Sequence, residues 1–331
     1  MIKIGVLGTG GWGTALSVLW QNKGLRVQLW GHTPTRVEQL RSSRINVDYL
    51  PGVTLPNGLS LTSDLADCAD ADVIVFATPS TALRQIAVSL QPLVKHERTV
   101  LLSCSKGIEH GTGMRMSEIL RTIFPRNPIA VLSGPNLAPE VARELPTATV
   151  VASTDSTVAA DLQNHLGTSR FRVYTGEDPI AVELGGALKN VFAIAAGASD
   201  GLELGDNSKA ALVTRSLAEM IRLGAAMGGK VRTFSGLSGA GDLVLTCFSQ
   251  RSRNRQVGDR IGRGQSVDEI MTSMQMVAEG IPTARSAFEC ARKLGVETPI
   301  IDQVYAVVYA KKSATDAVEE LLRREQKPEQ L

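Results

Sequence analysis

Cysteine is scarce in this chain, with four in 331 residues. Cys68, Cys104, Cys247 and Cys290 are far apart, form no CxxC pair and have no histidine at zinc-ligand spacing. That pattern excludes a disulfide scaffold and a structural zinc site, and it leaves reduced, mostly buried thiols of a cytosolic protein. Charge of one sign is also missing: 35 Lys plus Arg against 33 Asp plus Glu leaves a net charge of +2. A balance so near zero argues against a nucleic-acid coat or a polybasic membrane anchor. No long unbroken apolar run stands at the N-terminus. Residues 4–22 carry no charge, but Gly5, Gly8, Gly10, Gly11 and Gly13 interrupt them. A spanning helix needs about 20 apolar residues, glycine is a poor helix-interior residue, and a secretory signal needs a cleavage site after an unbroken run. A soluble, unprocessed chain is expected. Hydrophobic residues, by contrast, make up 43%, too many for a disordered chain. At about 150 residues per domain, the length suggests two domains.

The first half alternates β-type runs with helical stretches. Strands are expected at 2–7 (IKIGVL), 27–30, 72–77 (DVIVFA), 99–103 (TVLLS), 129–132 and 148–152, with helices at 14–22, 34–42 and 81–90. Such alternation implies βαβ units and a mainly parallel sheet. From about residue 178 helical spacing takes over, with helices expected at 180–198, 209–226, 283–294 and 315–325 and no convincing strand. The reading is an α/β domain over 1–177 followed by an all-helical domain over 178–331.

Gly8-Thr9-Gly10-Gly11-Trp12-Gly13 follows the first strand and opens the first helix. In a G-x-G-x-x-G of this context the first glycine permits the tight turn and the second lets a pyrophosphate approach the backbone. The third lets helix and strand pack closely. The helix N-terminus offers N–H groups and partial positive charge to phosphates. An NAD-specific site would place an acid at the end of the second strand, but Trp30-Gly31-His32-Thr33 stands there. His32 or Arg36 could contact a 2′-phosphate instead, so NADPH is favoured over NADH.

Two lysines stand out. Lys106, in SCSKGIE after the strand at 99–103, is placed at a carboxyl-end loop where open α/β sheets bind ligands; the alternative is an ordinary surface lysine. Lys189 lies in the apolar stretch GGALKNVFAIAA, with Gly185, Gly186, Phe192 and Ala193 at helical spacing and Glu183 on another face. It must snorkel, find a distant carboxylate, or serve chemistry in a cleft, where desolvation would lower its pKa toward proton transfer. Asp242, closing the glycine-rich SGLSGAGD, can supply that carboxylate or cap the helix that follows, and the two roles can coexist. The segment SQRSRNR at 249–255 concentrates donors suited to a small phosphate. A solvated basic helix face is the alternative; a nucleic-acid patch is weakened by the lack of interleaved aromatics.

Five blocks taken together, GTGGWGTALS, SCSKGIE, LSGPNLAPEVA, GGALKNVFAIAAGASDGLELGDNSKAAL and FSGLSGAGDLVLTCFSQRSRNRQVG, run from Gly8 to Gly258. Their order and content resemble the bacterial-type NAD(P)-dependent glycerol-3-phosphate dehydrogenases. The resemblance implies an N-terminal Rossmann domain, an all-helical C-terminal domain and an active site in the cleft between them. It implies reduction of dihydroxyacetone phosphate to sn-glycerol 3-phosphate for glycerophospholipid synthesis, with no metal. It makes Lys189 the proton donor and acceptor, with Lys106 and Asp242 beside it. Gly134, Asn136, Ser252, Arg253 and Asn254 match the remaining substrate positions. Cofactor positions are Gly8, Gly10, Gly11, Trp12, Gly13, His32, Lys106, Ala138, Arg253, Val277 and Glu279. Some relatives carry Ser at position 11 and Thr at position 136. A cytoplasmic homodimer is expected, with a small phosphorylated substrate, no nucleic-acid partner and no membrane insertion. A dehydrogenase of the same plan acting on a carboxylated hydroxyacid and a non-catalytic dinucleotide sensor are the rivals; the sensor would have no need of Lys106, Lys189 and Asp242 together.

Overall fold

A computed structural model describes every residue except Met1, Gln275, Met276, Lys327, Gln330 and Leu331. The chain divides into two compact units, one formed by Met1–Lys106 and Arg115–Glu183, the other by Gly107–Met114 and Leu184–Leu331.

The first unit opens with β1 (Lys3–Leu7), α1 (Gly11–Asn22), β2 (Arg26–Trp30) and α2 (Pro34–Ser43). A short ribbon of β3 (Ile45–Asn46) and β4 (Leu50–Thr54) comes next, then β5 (Ser60–Thr62), α3 (Ala66–Ala69), β6 (Val73–Phe76), α4 (Leu83–Leu90) and β7 (Val100–Ser103). The unit continues with α5 (Met116–Ile123), β8 (Ile129–Ser133), α6 (Ala138–Ala142), β9 (Thr147–Ala152), α7 (Ser156–Leu166) and β10 (Phe171–Gly176). Eight strands form one sheet in the order β10-β9-β8-β7-β6-β1-β2-β5. Pairing is parallel, as in Val6 opposite both Leu29 and Val75, except that β9 runs antiparallel to β8. The sheet is thus mainly parallel, and β6 is buried at every residue because helices cover both faces. Strand order reverses at β1, which lies between β2 and β6, so a crevice opens at the carboxyl ends of β1 and β6.

The ribbon and β10 escape a reading by propensity. β4 contains Pro51 and Gly52, both depleted in strands. β10 is an edge strand that alternates buried Phe171 and Val173 with exposed Arg172 and Tyr174. Its period of two was visible in the sequence, but it stood next to the change to helical spacing.

The long helix α8 (Pro179–Gly201) begins in the first unit and continues into the second. After it come α9 (Gly205–Ala226), α10 (Val231–Phe234), α11 (Asp242–Phe248), α12 (Arg253–Gly262), α13 (Val267–Ser273), α14 (Gly280–Leu294), α15 (Pro299–Tyr309) and α16 (Ala314–Leu322). No strand occurs after residue 176 among the described residues. Helix α8 is long and apolar enough to cross a membrane, yet 89% of its apolar window is buried, so it is a core helix.

Two features hold the helical unit together. Helices α8 and α12 meet backbone to backbone: a Cβ on Gly197 would fall 1.9 Å from the Arg255 carbonyl oxygen, and one on Gly258 1.9 Å from that of Ile194. Only glycine permits such an approach. The second feature is Glu219 of α9, whose carboxylate accepts the backbone N–H groups of Ile300 and Ile301 at 2.9 and 2.8 Å. It caps the N-terminus of α15, where Thr298 makes no side-chain cap. Burial outweighs those hydrogen bonds and pushes the Glu219 carboxyl up to about 7.

Gly197→Ala is expected to lower the stability of the helical unit by about 1–3 kcal/mol or more in urea unfolding; an unchanged midpoint would show that the two backbones can part without cost. For Glu219, the folded state holds its proton up to about pH 7 and the unfolded state only to its ordinary value of 4.5. Between those values the folded state binds more protons, so stability falls as pH rises through the window. Thermal melts of wild type and Glu219→Gln at pH 5 and pH 8 should therefore show the wild type losing ground against the variant at the higher pH. A pH-independent difference would mean that Glu219 titrates at its ordinary value.

Candidate active site

In the first unit the glycine loop joins β1 to α1. Gly8 has φ +118° and lies so close to β6 that a Cβ would meet the Ala77 carbonyl oxygen at 2.7 Å. A Cβ on Gly13 would sit 2.0 Å from the Gly8 oxygen, so the third glycine brings helix onto loop. Gly10, by contrast, faces open space within 4 Å. It also precedes a first turn of α1 with no side-chain cap and no acidic residue. A cradle that is open at the second glycine, with uncapped helical N–H groups behind it, fits the pyrophosphate of a dinucleotide.

Other expected residues gather around that loop. Gly11 packs against the ribbon and α6: a Cβ there would meet the Tyr49 carbonyl oxygen at 2.7 Å and the Ala138 side chain at 3.8 Å. Cys104 stands just past β7, and burial pushes its thiol up to about 12 against the smaller opposing effects of Lys106 and Trp12. Lys106 donates to the Gly134 carbonyl oxygen at 3.3 Å. Asn136 donates to the Ala148 oxygen at 3.0 Å, while its Oδ1 is buried with no hydrogen-bond partner among the described residues. Thr78 Oγ1, Ser103 Oγ and Ser133 Oγ, at or beyond the carboxyl ends of β6, β7 and β8, are orphaned in the same way. Unsatisfied buried polar atoms each cost about 1–3 kcal/mol, and their clustering at one sheet end marks it as a place for a polar ligand. His32 is exposed beyond β2 and meets Trp30 edge-on, with ring centroids 6.2 Å apart. Arg36 is engaged by Asp48 at 2.9 Å.

In the second unit Lys189 is buried on α8 and donates to the Asp242 carboxylate and, at 2.8 Å, to Thr246 Oγ1. Asp242 is fully buried. It is the first residue of α11, and the residue at the cap position is Gly241, which makes no side-chain cap. The capping alternative for Asp242 is therefore not realised, because its carboxylate is turned to the lysine. A glycine-rich turn makes the pairing possible: a Cβ on Gly185 would come within 2.6 Å of the Ser238 carbonyl oxygen, so α8 rests on the turn that delivers Asp242.

The arginine-rich segment is not a uniformly solvated face. Arg251 and Arg253 are exposed, whereas Ser252 and Asn254 are buried. Ser252 caps α12 by accepting the Arg255 N–H at 3.2 Å. Arg253 donates to the Val277 carbonyl oxygen at 2.9 Å, and Glu279 stands at the cap of α14. Asn254 donates to Asn190 Oδ1 and accepts the Gly280 N–H, both at 2.9 Å. Arg255 and Lys209 both reach Asp200, at 2.6 and 2.8 Å.

Reasoning from the sequence missed Thr246, Asn190 and Asp200. Thr246 was within reach, since it lies one helical turn after Asp242 on the same face. Asn190 and Asp200 carried no local signal, because their partners stand 64 and 55 positions away for Asn254 and Arg255.

Two family models match the chain, one over each half. The NAD-dependent glycerol-3-phosphate dehydrogenase N-terminus matches residues 3–159, and the corresponding C-terminus matches residues 178–319. The chain is 49% identical over 331 residues to a glycerol-3-phosphate dehydrogenase [NAD(P)+] of Geobacter metallireducens, covering 99% of this chain and 98% of the relative. It is 48% identical over 332 residues to the enzyme of that name from Syntrophotalea carbinolica, covering 99% of both. The crystal structure of glycerol-3-phosphate dehydrogenase from Coxiella burnetii superposes with a TM-score of 0.94 at 39% identity, covering 98% of this chain and 99% of that one. With likeness in sequence and in structure running the length of both units, the chain belongs to the NAD(P)-dependent glycerol-3-phosphate dehydrogenases.

Proposed function

We propose that this chain reduces dihydroxyacetone phosphate to sn-glycerol 3-phosphate, reversibly, with Lys189 as the proton donor and acceptor. In this reading residues 1–177 bind the dinucleotide, residues 178–331 bind the substrate, and reaction takes place in the cleft between them. The observation that carries it is the buried Lys189, held by an equally buried Asp242 and by Thr246. A charged lysine kept out of water by design of the fold is suited to proton transfer rather than to solubility.

A bound nicotinamide dinucleotide supplies the hydride. Negative charge that develops on the substrate's carbonyl oxygen is met by the Lys189 ammonium, which passes a proton from Nζ to that oxygen. Asp242 and Thr246 keep Nζ in place through the transfer, and Asp242 offsets the lysine's charge before it. Lys106 adds a second positive field. Arg253, with the Ser252 and Asn254 side chains on the first turn of α12, holds the phosphate, so that binding energy far from the carbonyl positions it. Asn254 acts partly through its own anchorage, since Asn190 beside the lysine receives one of its N–H groups. NADPH is the favoured dinucleotide, because no carboxylate ends β2 to contact a ribose hydroxyl. The product would feed glycerophospholipid synthesis, in a cytoplasmic homodimer.

Initial rates of dihydroxyacetone phosphate reduction, measured in parallel with NADPH and NADH, test the reaction and the cofactor. Lys189→Ala is expected to lose about 10²–10⁴ in turnover while still binding NADPH. Turnover at the wild-type rate in that variant would remove Lys189 from the chemistry.

A further inference from the structure

The segment from α2 to β4 carries a cluster that the reading above leaves unused. Arg36, in the first turn of α2, donates from Nη2 to Asp48 Oδ2 at 2.9 Å, and its Cζ lies 4.0 Å from the centroid of the Tyr49 ring. A longer contact of 3.5 Å reaches Asn46 Oδ1. Asn46 is almost wholly buried and donates its amide to the Thr9 carbonyl oxygen, inside the glycine loop, and to Thr14 Oγ1, both at 2.8 Å. The Tyr49 carbonyl lies against Gly11 of the same loop. The platform under the guanidinium is therefore anchored to the residues that fit a pyrophosphate. A dinucleotide seated there brings its adenosine ribose to the end of β2, next to the turn that carries Arg36.

We propose that Arg36 reads the 2′-phosphate of the dinucleotide and that Asp48 is a built-in competitor for its guanidinium, holding down the preference for the phosphorylated cofactor. This rests on the cofactor reading above. To take a phosphate, Arg36 must release the Asp48 carboxylate. Half of the Asp48 side chain and a quarter of the Arg36 side chain are exposed, so the pair is screened and weak, and a phosphate offers more charge and more acceptor oxygens. The Tyr49 ring can keep its contact with the guanidinium during the exchange. A dinucleotide without the 2′-phosphate leaves the Arg36–Asp48 pair intact and incurs no such exchange.

The test is the ratio of NADH to NADPH dissociation constants, titrated on the full chain for wild type, Asp48→Asn, Arg36→Ala and the double variant. Asp48→Asn should move the ratio toward NADPH by about two- to fivefold, the scale of a screened ion pair. Arg36→Ala should move it toward NADH by about tenfold or more, as loss of a charge-assisted contact does. In the Arg36→Ala background Asp48→Asn should add nothing. Arg36→Lys replaces the alanine variant if that one melts early. A ratio unmoved by Asp48→Asn, or an effect that persists without Arg36, overturns the inference while leaving the cofactor reading in place. Failure of the wild type to bind either dinucleotide overturns both.

Discussion

The helical unit depends on a contact made without side chains. Where α8 crosses α12, glycines on each helix let one backbone rest on the carbonyls of the other, at separations that any Cβ would forbid. The same device recurs one step away, where Gly185 lets α8 rest on the turn before α11. Side chains in a core can repack when disturbed, but a backbone contact leaves little freedom. Lys189 on α8 is in this way registered against Asp242 on α11 and, through Asn190 and Asn254, against the first turn of α12. Arg255 of α12 and Lys209 of α9 converge on Asp200 and tie the far end of α8 to both of those helices.

Three buried acids serve two different tasks in this fold. Glu219 caps α15 with no basic partner at its two hydrogen bonds, and burial raises its pKa. Glu183 takes the Ser117 N–H at 2.8 Å and the Ser117 hydroxyl at 2.6 Å at the start of α5, with Arg115 at 3.0 Å. Burial pushes Glu183 up as well, though its serine and arginine partners oppose the shift. Both are structural caps that replace exposed capping residues with buried ones. Asp242 differs in kind. Its partner is a lysine, and Asn190 next to that lysine is joined to Asn254 of the donor-rich first turn of α12, which is why the proposed proton transfer is put at that pair and not at the other two.

The α/β unit is organised by the strand order. Reversal at β1 leaves the ends of β1 and β6 without a crossover above them; the glycine loop and Thr78 lie at those ends, with Ser103 and Ser133 at the neighbouring carboxyl ends of β7 and β8. The ribbon of β3 and β4 then closes against the loop through Asn46 and Tyr49. It is this ribbon, the element that propensity conceals, that carries Asp48 and the ring beneath Arg36.

Much of this was legible in the sequence. The alternation of strands and helices, its end before residue 178, the glycine loop with its distinct task for each glycine, and the isolation of Lys189 on an apolar helix all follow from local pattern, because hydrophobic period and backbone sterics act over a few residues. The choice of Asp242 over other acids as the partner of Lys189, the holding of Nζ by Thr246, the anchoring of Asn254 by Asn190 and the engagement of Arg36 by Asp48 were decided by the tertiary structure. Each of these rests on atoms within about 3 Å of one another, and for the pairs in the helical unit the residues stand more than fifty positions apart in sequence. Local pattern can announce that a buried lysine needs a carboxylate; only packing selects which one.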